Sequence, residues 1–119
     1  MVAAQMAAMA ELLIFSRKAG VEPSRVIEAI QSGAAQCWTL DQKPVRLFAG
    51  NRQPGFKARM QLKDLNIVMD SAREYGIPLP VTAQTAQLYQ SMIQMGMGEL
   101  DNSALLGVYE SLTGITLLD

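Results

Sequence analysis

From Met1 to Ala19 the chain is apolar around most of a helical circumference, with only Gln5 and Glu11 interrupting it before Phe15. A helix of that kind buries itself on several sides at once, so it belongs in the middle of a larger assembly of helices. The rest of the chain must therefore supply layers around it. The segment holds strong helix formers and no proline. It stops at Gly20, directly after Arg17 and Lys18, the expected order at a helix C-terminus. Met1 to Phe15 falls short of the roughly 20 apolar residues of a membrane-spanning helix, and it lacks the basic start of a signal peptide. A soluble, cytoplasmic protein is expected. No capping residue precedes this helix, and a chain that opens directly into helix has the look of one cut inside an element.

The following segments repeat the helical period. Val21-Glu22-Pro23-Ser24 opens a second helix, because proline suits a first turn where its missing N–H costs nothing. Val26, Ile27 and Ile30 form its stripe and Gly33 its end. A third stretch runs from about Ala34 to Phe48, with Pro44 as a kink or restart. Gly50, Asn51, Pro54 and Gly55 break the chain before a fourth helix from about Arg59 to Tyr75. There Leu62, Leu65, Val68, Met69 and Ala72 share one face at 100° per residue. Lys63, Asn66, Asp70 and Glu74 line the other face, with Ile67 among them. A fifth helix begins near Val81, with Thr82 as its cap, and runs to about Met95. Asp101-Asn102-Ser103 caps a last helix to about Leu112. No segment reads as a strand. One all-α domain of five to six helices over residues 1–119 is expected, with Met6, Met9, Met60 and Met69 as core filler.

Composition closes several routes to chemistry. The chain has no histidine, which removes Ser-His-Asp and Cys-His catalysis and the commonest metal ligand. Cys37 is the one cysteine, so no internal disulfide is possible, and without a partner base it reads as a small apolar residue. No metal site is expected. A net charge of −1 offers no global attraction to nucleic acid or anionic membrane. Arg46, Arg52, Lys57, Arg59 and Lys63 do gather locally, but without interleaved aromatic residues they make a poor nucleic-acid surface.

That basic run breaks a local rule. Lys57, Arg59 and Lys63 collect where the fourth helix begins, although cations are disfavoured there by about 0.3–1 kcal/mol each. The same helix end is a natural anion seat, because free backbone N–H groups point outward from it. The alternative is a solvated basic loop.

Seven stretches, in order, carry a resemblance. They are Ala7-Ala8-Met9-Ala10-Glu11-Leu12, Lys18-Ala19-Gly20-Val21-Glu22-Pro23, the small residues of Gly33 to Leu40, Pro54-Gly55-Phe56, Lys63-Asp64-Leu65, Gly76-Ile77-Pro78-Leu79-Pro80, and Gly96 to Ala104. Together they resemble the C-terminal domain of the β-hydroxyacid dehydrogenases. That family includes 3-hydroxyisobutyrate dehydrogenase and tartronate semialdehyde reductase and is related to 6-phosphogluconate dehydrogenase. The resemblance covers nearly the whole chain.

It implies a 6-phosphogluconate dehydrogenase C-terminal domain-like fold, on the substrate side of an enzyme that oxidises a short hydroxy acid or reduces its semialdehyde with NAD or NADP. It implies a dimer interface, hence a homo-oligomer. The family's catalytic lysine and neighbouring asparagine would fall just before Met1, and the N-terminal Rossmann domain is absent, so the isolated chain is expected to be inactive. By the same resemblance Lys63, Phe56 and Asp64 belong to the cofactor side and Trp38 to the substrate pocket. For Phe56 and Trp38 the competing reading is ordinary core packing. A non-catalytic association module is the alternative function, driven by apolar surface uncovered on the first helix.

Overall fold

The computed structural model describes residues 1–118. Its helices are α1 (Val2–Lys18), α2 (Pro23–Ile30), α3 (Trp38–Gln42), α4 (Pro44–Phe48), α5 (Ala58–Tyr75), α6 (Pro80–Gln94) and α7 (Leu106–Thr113), with a 3-10 turn at Asn102–Leu105 ahead of α7. No strand occurs among the described residues. The only ladder contact among them is an isolated bridge between Lys57 and Asp101.

α1 takes the central place that its apolar circumference demands. It packs on α2, α3, α6, α7 and the 3-10 turn. Met6, Met9, Ala10 and Leu13 are buried, and Leu47, Tyr89, Met92, Leu105 and Leu106 close around them. The chain therefore covers most of α1 itself. The apolar surface expected there reduces to a few exposed positions, among them Phe15 and Val2. More lies on α5 and just after it, where Ile67, Val68, Tyr75 and Ile77 are exposed. Val68, on the apolar face of α5, is thus exposed, and Ile67 is open rather than covered. Met6 and Met9 fill the core, but Met60 is exposed and Met69 only half-buried.

Element boundaries follow local chemistry. Pro23, Pro44 and Pro80 each occupy the first helical turn. The expected third helix is in fact two. Residues 31–35 form turns, Cys37 is extended with φ −161° and ψ 160°, and α3 starts only at Trp38. Pro44 then ends α3 and opens α4, since it cannot donate back into a preceding turn. Thr82 does not cap α6. Leu79 stands at that position and Pro80 presets the backbone. α5 ends at Gly76 with φ +66°, a left-handed conformation that a side chain would strain.

Candidate functional site

The start of α5 is held against the segment ahead of the 3-10 turn. The Asp101 N–H donates to the Arg52 carbonyl (3.0 Å) and the Asn102 N–H to the Phe56 carbonyl (2.8 Å). In return, the Ala58 N–H donates to the Leu100 carbonyl (2.9 Å) and the Arg59 N–H to the Gly98 carbonyl (3.0 Å). The Met60 and Gln61 N–H groups donate to the Lys57 carbonyl. The opening amides of α5 are therefore all engaged, and the anion seat expected there is not formed.

The clustered cations also have a partner. Lys57 Nζ lies 2.7 Å from Glu99 Oε2 and Arg59 Nε 2.8 Å from Glu99 Oε1. The hydrogen bond from Lys57 is the main cause that holds the Glu99 carboxyl below its ordinary range. Glu99 thus supplies the compensation that the local pattern lacked, from 42 positions away. Arg52 approaches Glu110 at 4.0 Å. Three of the five cations in the basic run thus face these two acids.

Asp101 is the centre of the arrangement and is 0% exposed. Its Oδ1 accepts from Lys43 Nζ (2.8 Å), from the Ser103 N–H (3.0 Å) and from the Ser103 hydroxyl. Its Oδ2 accepts from Lys43 Nζ (3.1 Å), the Gly55 N–H (2.8 Å) and the Phe56 N–H (3.3 Å). Burial alone would raise the Asp101 pKa. The hydrogen bonds from Lys43, Ser103 and Gly55 outweigh it and hold the carboxyl well below the usual range. A buried carboxylate is tolerable here because donors saturate both oxygens. Lys43 is as deeply enclosed, 3% exposed, and its ammonium sits 5.5 Å from the centroid of the Trp38 ring.

Over this pair opens a cleft of about 610 Å³, walled in part by Trp38, Arg46, Phe56, Gln61, Asp64 and Asn102. Trp38 is 57% and Phe56 40% exposed, so neither ring is a core residue. Arg46 donates to the Gln53 carbonyl, and Asn102 Nδ2 donates to Gln61 Oε1 at 3.1 Å. Arg46 Nε and Asn102 Oδ1 are buried without a partner among the described residues.

The fold brings three of the four expected site residues, Trp38, Phe56 and Asp64, to one cleft. Lys63 is not part of the wall. It stands beside it, with Nζ 2.8 Å from Asp64 Oδ1 and both side chains about half exposed. A surface pair of that kind contributes at most about 1 kcal/mol. Lys43 was missed as a site residue, and Asp101 entered the sequence reading only as a helix cap. Cys37 is half-buried and unpaired. Among the described residues no group of His, Cys, Asp and Glu could hold a metal ion, and no helix is long and apolar enough to cross a membrane.

Residues 1–109 match the family described as the NAD-binding domain of NADP-dependent 3-hydroxyisobutyrate dehydrogenase. The chain belongs to that family. Among curated relatives, a 2-hydroxy-3-oxopropionate reductase from Escherichia coli is 36% identical over 92% of this chain and 37% of its own length. A 2-(hydroxymethyl)glutarate dehydrogenase from Eubacterium barkeri is 31% identical over 94% of this chain and 38% of its own length. The crystal structure of a 3-hydroxyisobutyrate dehydrogenase from Salmonella typhimurium shares the fold. It superposes with a TM-score of 0.84 at 24% identity, over 89% of this chain and 37% of that one. The chain therefore spans a little over a third of the length of these relatives.

Proposed function

We propose that the chain is the substrate-side domain of an NAD(P)-dependent β-hydroxyacid dehydrogenase that oxidises a short hydroxy acid or reduces the corresponding semialdehyde. The observation that carries this reading is the convergence of Trp38, Phe56 and Asp64 on one cleft, with Lys63 beside it, in a chain of this family. The cofactor supplies hydride acceptance or donation when bound. The residues present suit only its nicotinamide end. Two exposed aromatic faces can pack against a planar ring, whereas the amides at the start of α5 are already used and offer no cradle for a diphosphate. Phe56 and Trp38 exclude water from the reacting face, and Lys63 brings positive charge to a carboxylate or phosphate oxygen. Asp64 holds the Lys63 ammonium near the cleft until a ligand anion replaces it. The domain works in a reducing compartment, in keeping with its single free Cys37.

The test is the coding sequence immediately upstream of the Met1 codon. It should encode a strand, a Gly-rich turn and a helix, and then a lysine a few residues before Met1. A stop codon and a ribosome-binding site there would overturn the reading. The 119-residue chain alone should show no hydride transfer with NAD or NADP and any short hydroxy acid. Its described residues include no sheet that would orient the cofactor against a substrate, so the contribution of proximity should be missing.

We further propose that the domain associates as a homodimer. The exposed apolar residues of α5 and its exit, Ile67, Val68, Tyr75 and Ile77, support this. Sedimentation at micromolar concentration should give a dimer, and a clean monomer would remove the proposal.

A further inference from the structure

We propose that the buried Lys43–Asp101 pair is a positioning device that fixes the two aromatic walls of the cleft, Trp38 and Phe56, relative to each other. This rests on the reading of the cleft as the substrate side of a dehydrogenase. Trp38 opens α3 and Phe56 lies in the loop before α5, and each of the two segments meets the pair. From one side the Lys43 ammonium lies under the Trp38 ring at 5.5 Å. From the other, Asp101 Oδ2 receives the Gly55 and Phe56 N–H groups at 2.8 and 3.3 Å. The two halves are joined by the Lys43–Asp101 hydrogen bonds at 2.8 and 3.1 Å.

A core built only for stability would place apolar side chains here, since a well-packed apolar replacement commonly matches or exceeds a buried ion pair. What the pair adds is direction. An ammonium seeks the face of a ring, and a carboxylate oxygen left with acceptor capacity beside the ammonium seeks N–H groups. Both preferences are met by the two segments that carry the cleft's rings. Asp101 does not line the cleft and Lys43 does so only as a side chain 3% exposed, so both act as positioning residues, through Trp38 and Phe56.

Trp38 is the one tryptophan of the chain, so its fluorescence reports on this cleft alone. The variants are Lys43→Met and the milder Lys43→Gln, which keeps a donor toward Asp101 and removes the charge. If Lys43→Met does not fold, Lys43→Gln carries the test. In the 119-residue chain, acrylamide quenching of Trp38 should rise, and amide exchange at Gly55 and Phe56 should accelerate about tenfold more than exchange in α1. Equal acceleration throughout would mean general destabilisation and would overturn the inference.

In a full-length dehydrogenase carrying this domain, Lys43→Gln should raise KM for the hydroxy acid about tenfold with kcat little changed. A purely structural role would lower the active fraction, and with it kcat, at unchanged KM. Absence of dehydrogenase activity in the unsubstituted full-length protein would refute the functional reading, while the fluorescence and exchange results would still decide the positioning role.

Discussion

Asp101→Ala is expected to remove a large share of the stability of this domain. The substitution leaves Lys43, 3% exposed, as an unpaired buried cation, and it strips the acceptor from the Gly55, Phe56 and Ser103 N–H groups. Breaking a buried pair by deleting one partner costs about 3–5 kcal/mol. Domains of this size have about 5–15 kcal/mol in total, so the variant should lose about a third or more of a typical reserve. A urea titration followed by far-UV circular dichroism should show the midpoint collapse. A loss below about 1 kcal/mol, the value of an ordinary surface pair, would mean that Lys43 escapes to solvent and that the pair is not enclosed.

The pH dependence follows from the same carboxylate. The folded-state pKa of Asp101 is depressed, because hydrogen bonds from Lys43, Ser103 and Gly55 outweigh the effect of burial. Its contribution is therefore fully present above the unfolded-state value of about 3.9. It is lost as pH falls below that value toward the folded-state pKa. Wild-type stability should decline on acidification through this range, and Asp101→Ala should lack that part of the decline.

Much of the fold could be read from short-range pattern. The apolar circumference of the first segment forced a central helix, and α1 is central. Gly20 and Gly76 marked ends because a left-handed residue closes a helix, and both have positive φ. Asp101 was recognisable as a cap, and its side chain does accept from the Ser103 N–H.

What escaped is what depends on long-range meetings. Lys43 and Asp101 lie 58 positions apart, and no periodicity links them. The same is true of Glu99, whose contact with Lys57 and Arg59 turned a broken helix rule into an ordinary ion-pair cluster. An orphan-amide argument at a helix start also presumes that no neighbouring strand-like segment is present. Here the 98–100 segment takes the Ala58 and Arg59 amides. The exposure of Val68 escaped for a related reason. A residue at the edge of an apolar stripe is buried only if a second helix is wide enough to cover it, and α6 leaves it exposed.

Lys63→Ala, placed in a full-length dehydrogenase carrying this domain, should lower kcat/KM by about 10- to 100-fold, the equivalent of one charge-assisted hydrogen bond of about 1.5–3 kcal/mol. The expectation rests on exposure and placement. Lys63 is about half exposed, and among the described residues its ammonium pairs with its neighbour Asp64 across 2.8 Å, at the surface and away from the core. Its removal should change stability by no more than about 0.5 kcal/mol. A residue with almost no structural duty but a position beside an aromatic-walled cleft is free to serve a ligand. Lys63→Arg should retain part of the activity, because the charge survives while the point-like ammonium geometry does not. The deficit of Lys63→Ala should shrink as salt is raised, since an exposed cation acts through an interaction screened over about 10 Å at 0.1 M ionic strength. Unchanged kcat/KM in Lys63→Ala at low salt would assign this lysine to the solvated surface and leave Phe56 and Trp38 as the cleft's contribution to binding.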